Sequence, residues 1–252
     1  MSRNRPLTLV DLDDTLFQTA RKMPEGVSRH VATLDVKGQP NGYMSDVQKA
    51  FVEWLLKTTD VVPVTARSIE AFSRVRLSFA CGAVCSQGGV ILGSDGQQDQ
   101  DWHELMSETL AEFQNRLPEL IATTLAIGEE MGFSLRGWLV EEAGLLHYLV
   151  VKHNDSDDAV LLRTLTEVRA RGLLKGMYIH RNGNNLAFLP NGLAKRLAVQ
   201  EFLRRDRVVH GERPVLGFGD SITDLGFMDL CHMWSTPARG QLARWVKAAA
   251  DA

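Results

Sequence analysis

Short apolar runs, separated by stretches with helical spacing, constrain this chain most. Leu7–Val10 (apolar but for one Thr), Val61–Val64 and Val215–Phe218 each read as a strand buried on both faces. Between them, Ser45–Leu56 carries Val47, Ala50, Phe51, Trp54 and Leu55, a helical stripe with Ser45 as its N-cap. Ser68–Phe79 reads as a further helix and Ala83–Cys85 as a short strand. The alternation returns late in the chain. A helix runs from about Leu193 to Arg204, a second lies near Leu225–Leu230, Met233–Trp234 is a strand, and an amphipathic helix starts at Gln241. Strands alternating with helices specify an α/β fold with a parallel sheet.

The middle of the chain has a different grammar. Asp101–Leu117 and Glu119–Met131 read as two helices separated by Pro118. Phe133–Glu141 and Leu145–Lys152 read as a hairpin turning at Glu142-Ala143-Gly144. Asp155, Asp157 and Asp158 supply caps and dipole-favoured acids for a helix running to Arg171, which Gly172 closes. Strands Leu174–His180 and Asn185–Leu189 follow. This ααββαββ block reads as an α+β domain inserted into the parallel one. Turn-forming sequences at Gln87-Gly88-Gly89 and Pro190-Asn191-Gly192 bound it. The expected division is therefore a core of residues 1–87 and 191–252 and an inserted domain of 88–190.

Bulk properties narrow the function. With 44% hydrophobic and 23% charged residues the 252-residue chain is an ordinary globular composition. A net charge of −3 carries no nucleic-acid or membrane footprint. The polar start, Met1 to Pro6, has no apolar signal-like stretch, and no run nears the roughly 20 apolar residues of a membrane span. Cys81, Cys85 and Cys231 read as reduced thiols, so a cytoplasmic protein, monomer or homodimer, is expected.

The strand ends carry the chemistry. Asp11 and Asp13 leave the first strand at its carboxyl end, where open parallel sheets bind ligands. Two residues apart on extended backbone, they face one small volume. Paired carboxylates are unfavourable unless a cation is present or one keeps a proton, which points to a metal, an acid–base partner, or both. Thr65 ends the second strand with a hydroxyl, Lys195 opens a helix with an ammonium, and Asp220 with Asp224 closes the third strand in Gly-Asp-x-x-x-Asp. His147, His153, His180 and His210 lack ligand-like spacing and read as structural or surface residues.

These four segments, in this order, resemble the four motifs of haloacid dehalogenase-superfamily phosphatases. The resemblance spans Asp11 to Asp224 and implies a Rossmann-like parallel-sheet core with the larger α/β cap inserted between the second and third motifs. It implies Asp11 as nucleophile and Asp13 as general acid–base. Mg²⁺ would be held by Asp11, Asp220 and the Asp13 carbonyl, with Asp224 orienting a metal-bound water or Lys195. Thr65, Ala66, Arg67 and Lys195 would bind the phosphoryl group, and Arg136, Arg181 and Asn182 are the candidate cap contacts. Asp14, where relatives often carry Gly, is read as serving the turn or an ion pair. Asn184-Asn185-Leu186-Ala187-Phe188-Leu189-Pro190 is similar to the segment before the lysine in sucrose-phosphate phosphatases, and mannosyl-3-phosphoglycerate and Cof-like branches are related. Those relatives often have an acid where this chain has Ala187, which weighs against sucrose-phosphate itself. The implied activity is hydrolysis of a small phosphorylated metabolite such as a sugar phosphate. A phosphomutase or phosphotransferase on the same site, or a non-catalytic regulatory module, are the alternatives.

Overall fold

The structure is a computed structural model and describes residues 5–250. In chain order its elements are β1 (Leu7–Val10), β2 (His30–Leu34), β3 (Pro40–Met44), α1 (Asp46–Thr58), β4 (Asp60–Pro63), α2 (Ile69–Ser73), β5 (Ala83–Cys85) and β6 (Val90–Leu92). They continue with α3 (Gln100–Thr109), α4 (Phe113–Glu130), β7 (Leu135–Glu142), β8 (Leu145–His153), α5 (Asp158–Ala170), β9 (Met177–Arg181) and β10 (Leu186–Pro190). The last are α6 (Lys195–His210), β11 (Val215–Phe218), α7 (Leu225–Met228), β12 (Met233–Ser235) and α8 (Gln241–Ala250). Two compact units result: Asp101–Leu193, and the residues on either side of it.

The flanking unit is built on a parallel sheet of order β12-β11-β1-β4. β1 is fully buried, and the one polar side chain within it, Thr8, donates to Thr59 Oγ1 at 2.9 Å. A parallel bridge between Val64 and Val84 places β5 next to the end of β4. Ser45 caps α1 in a reciprocal box with Gln48, as S-x-x-Q predicts. The buried face of α1, Val52 and Leu55, packs with Val10, Leu12, Leu16 and Phe17. This cluster supports the loop that leaves β1.

The expected helix over Ser68–Phe79 ends instead at Ser73. Its continuation is claimed by β2: Arg76 N–H donates to Ala32 C=O at 2.7 Å and Leu34 N–H to Arg74 C=O at 3.1 Å. Inter-strand bonds to β2 replace the helical ones. The β2–β3 hairpin itself, absent from the sequence reading, is antiparallel with register shifts around Thr33. β5 and β6 also pair antiparallel, so Val90–Leu92 joins the flanking unit and the division falls at Gln100/Asp101 and Leu193/Ala194, later than the positions read from the turns.

The other unit is an antiparallel sheet of order β7-β8-β10-β9 with helices α4 and α5 packed on it. Pro118 does not divide the helices; it lies inside α4. The break comes earlier, where Phe113 N–H turns back to Leu110 C=O at 2.9 Å. As the sixth residue of α4 the proline forfeits the bond to the carbonyl four residues back and crowds that carbonyl, while Phe113, Leu117 and Leu120 gain burial. β7 and β8 join through Ala143 and Gly144 at φ 49° and 80°, the paired left-handed conformation of a tight hairpin. Opposite, the register slips between Val140–Tyr148 and Glu141–Leu146, leaving His147 as the extra residue of a β-bulge. The Gln114 side chain satisfies the freed Leu146 N–H and C=O, each at 2.9 Å. Among the described residues no helix is long and apolar enough to cross a membrane.

Candidate active site

The carboxyl ends of β1, β4 and β11 meet the start of α6 in the flanking unit. Asp11 leaves β1 with its N–H bonded to Phe218 C=O at 2.8 Å, beside the strand that leads to Asp220. The chain then turns tightly, Leu16 N–H reaching Leu12 C=O at 2.9 Å, with Asp14 in the left-handed region at φ 63°. Asp14 also pairs with Lys22, so it serves both turn and ion pair.

Lys195 is the first residue of α6 and is only 7% exposed. Its Nζ donates to Asp11 Oδ1 and to Asp224 Oδ1, both at 2.7 Å. Asp224 Oδ2 accepts from Ser221 N–H at 3.0 Å and Ser221 Oγ–H at 2.6 Å, so both of its oxygens are committed. Asp11 Oδ2 has a longer partner, Thr15 Oγ1 at 3.3 Å. Gly88, at φ +96°, lies so close to α6 that a Cβ would come within 2.5 Å of Ala194 C=O and 2.9 Å of Lys195 N. A side chain there would push the start of the helix away.

Thr65 is buried beyond β4, its N–H bonded to Val84 C=O at 2.8 Å and its C=O accepting from Gln87 N–H at 3.1 Å. The hydroxyl oxygen accepts from Arg67 N–H at 3.1 Å, which leaves its own hydrogen to donate outward.

Ligand atoms of Asp11, Asp220 and Asp224 lie within 4.8 Å of one another, all three residues buried. Burial raises the Asp11 carboxyl well above its ordinary range; Lys195 pulls it down, and Asp224 and Asp220 push it further up. Burial, then Asp224, pushes Asp220 up to about 7. Asp224 stays low although burial opposes it, because Lys195 and Ser221 hold the anion. Lys195 is held charged by Asp11 and Asp224 against the same burial. Three carboxylates thus share one ammonium, and among the described residues the buried Asp220 carboxylate accepts no hydrogen bond. An unbonded buried acid in a cluster short of positive charge is a donor set fit for a hard divalent cation with oxygen ligands.

Asp13 stands apart from that cluster. Its carboxylate is bound bidentately by Arg67, Nε to Oδ2 at 2.7 Å and Nη2 to Oδ1 at 2.8 Å. Arg67 is therefore turned onto Asp13. Ala66 lies between Thr65 and Arg67 on the same strand exit. In the other unit, Arg136 donates to Asn154 Oδ1 at 2.7 Å and His153 C=O at 3.3 Å. It shares a cross-strand row with Lys152, whereas Arg181 pairs with Leu186 in the row of Val151 and Gly137, on the opposite face. Asn182 belongs to the β9–β10 turn, its N–H bonded to Asn185 C=O at 3.1 Å. The three expected cap contacts are thus not one cluster. Arg136's face carries instead Trp138, 42% exposed, with Lys152 Nζ 5.6 Å from its ring centroid. The alternation of β7 could have placed Trp138 beside Arg136, but its pairing with Lys152 needed the register.

No protein-family model and no curated protein matches the chain. Solved structures do. The C-terminal domain of a trehalose-6-phosphate phosphatase from C. albicans superposes with TM-score 0.58 at 13% identity, over 90% of this chain and 73% of that one. The sucrose-phosphatase from Synechocystis, solved with sucrose and phosphate, gives 0.53 at 15% identity over 98% of each chain. A haloacid dehalogenase-like hydrolase from Bacteroides thetaiotaomicron gives 0.50 at 12% identity, over 98% of this chain and 100% of its own. With β1 central in a parallel sheet and an α+β unit between β6 and α6, the chain has a haloacid dehalogenase-like fold.

Proposed function

We propose that the chain is a Mg²⁺-dependent phosphomonoester hydrolase that works through an aspartyl-phosphate on Asp11. The observation that carries this reading is the buried Asp11–Asp220–Asp224 cluster, in which, among the described residues, Lys195 is the only directly bonded cation. Asp11, Asp220 and the Asp13 carbonyl would hold Mg²⁺, which when bound supplies positive charge to the phosphoryl oxygens.

The chain's own residues account for the rest. An Asp11 oxygen forms a bond to phosphorus as the bond from phosphorus to the ester oxygen breaks, and that oxygen takes a proton from Asp13. Water then attacks phosphorus and gives its proton to Asp13; phosphate leaves and the Asp11 carboxylate is restored. Lys195 fixes Asp11 and adds charge at the start of α6, where the helix N-terminus already favours an anion. Thr65 donates its hydroxyl hydrogen to a phosphoryl oxygen. Asp224 keeps Lys195 in place.

A sugar phosphate is the substrate class we favour, supported by neighbours that act on trehalose 6-phosphate and bind sucrose with phosphate. Ala187, buried in β10, offers no acid to a sugar hydroxyl, so sucrose-phosphate is not the one we favour. The inserted unit is proposed as the cap that selects the leaving group, and three cysteines outside any disulfide support a cytoplasmic setting. The test is phosphate release from a panel of phosphorylated metabolites with and without Mg²⁺. A substrate turned over by the wild type with Mg²⁺ and not by Asp11→Asn sustains the reading. Turnover that survives in Asp11→Asn ends it.

A further inference from the structure

We propose that Arg67 is a positioning residue that aims Asp13, and not a ligand for the phosphoryl group. The proposal rests on the hydrolase reading and deepens it: turnover should depend on Arg67 in proportion to how much the departing oxygen needs Asp13.

A guanidinium has five N–H donors, and in Arg67 four are engaged by the protein. Nε and Nη2 grip the two Asp13 oxygens, while Nη1 donates to Thr33 Oγ1 and to Ala71 C=O, each at 3.2 Å. The flat face lies over the Phe17 ring, 5.2 Å from its centroid. Three separate segments therefore set the plane of this one side chain: the loop after β1, the β2–β3 hairpin and α2. Too few donors remain to bind a phosphoryl group with the same fork.

The asymmetry of the pair gives the direction of control. The Arg67 side chain is 16% exposed and the Asp13 side chain 53%. Packing holds the arginine, and the arginine holds the aspartate. A fork-to-fork pair restricts both torsions of Asp13, whereas an exposed aspartate left alone spreads over several staggered rotamers. A lysine at this position carries the charge but not the fork. Losing the aim of a proton donor by an ångström or so lowers a rate by as much as about a hundredfold. That loss falls on esters whose oxygen leaves as a basic alkoxide. A nitrophenolate leaves without needing the proton.

The experiment compares wild type, Arg67→Lys and Arg67→Ala on p-nitrophenyl phosphate and on the best alkyl phosphate of the metabolite panel, with melting temperatures for each. We expect kcat on the alkyl ester to fall about ten- to hundredfold and on the aryl ester less than about threefold, with KM unchanged. Added guanidinium ion should restore part of the alkyl activity of Arg67→Ala, and Arg67→Lys should have no further effect in an Asp13→Asn background. Thr33→Val, which removes one Arg67 contact away from the site, keeps the idea testable if the arginine variants do not fold; it should shift the same ratio in the same direction, about twofold. Equal losses on both esters, or a shared rise in KM, would make Arg67 a phosphoryl ligand and overturn the proposal. A lower melting temperature with an unchanged ester ratio would make it a purely structural tie, which also overturns it. If the wild type releases phosphate from neither ester, the hydrolase reading falls and takes this proposal with it.

Discussion

Asp11, Asp220, Asp224 and Lys195 in one unit and His147 in the other are all nearly sealed from solvent, and they meet burial in opposite ways. In the first group Lys195 and Asp224 stay charged through partners, the ammonium lying between Asp11 and Asp224 at 2.7 Å with two Ser221 donors behind Asp224, while burial and the neighbouring acids push Asp11 and Asp220 up. His147 is fully buried in a β-bulge, and among the described residues neither ring nitrogen has a hydrogen-bond partner. Burial, aided by His103, lowers it to about 4, so it sits there as a neutral ring. Burying charge demands partners; without them the group gives up its charge. An acid set with fewer cations than carboxyl groups can take up a further cation, and a neutral ring without a partner has no charge to share.

The sharpest way to break this contrast is Asp11→Asn. An amide of nearly the same shape should leave the fold intact and cost several orders of magnitude in turnover. Near-wild-type phosphate release from a folded Asp11→Asn protein would reduce the cluster to a structural network. Next in size is Lys195→Met, which strands two buried carboxylates. Urea denaturation should show a loss of about 3–5 kcal/mol, partly recovered when Asp224→Asn is added. An unchanged midpoint would mean that the ammonium is not what keeps these acids buried.

The cation deficit makes a third prediction. Mg²⁺ at a hundredfold excess over its dissociation constant should stabilise the protein by about 2.7 kcal/mol, EDTA should remove that gain, and Asp220→Asn should abolish it. Melting curves that ignore Mg²⁺ would detach the cluster from any metal.

The smallest effect tests the other side. His147 binds its proton less readily in the folded chain, at about 4, than at the ordinary 6.5. Between those values the unfolded chain carries the extra proton, so stability is greatest above pH 6.5 and falls as pH drops toward 4. From pH 7 to pH 5 this single ring should remove about 2 kcal/mol. His147→Leu should flatten that slope in urea titrations. If both proteins lose stability equally, the ring has a partner and the contrast fails.

Much of this was legible from local patterns. Leu7–Val10 reads as a buried strand because its neighbours in sequence are its evidence, and Ser45 and Asp157 read as caps because a cap bonds within three residues. Asp11, Lys195, Asp220 and Asp224 were found as strand-end and helix-start residues, and the structure places them together. What stayed hidden depends on distant backbone. The end of α2 at Ser73 is decided by β2, dozens of residues earlier in the chain. Pro118 looks like a break until the burial of Phe113 and Leu117 outweighs one lost hydrogen bond.

By itself the sequence determined the alternation of elements, the strand ends that carry acid, hydroxyl and ammonium, and the insertion between two halves of one sheet. These follow from periodicity and from residue chemistry, both of which are short-range. Only the tertiary structure decided that Arg67 faces Asp13, that Arg136 and Arg181 lie on opposite faces, and that the Asp220 carboxylate accepts no hydrogen bond among the described residues. Each of those depends on register or on packing between segments far apart in the chain, where a shift of one residue reverses which way a side chain points.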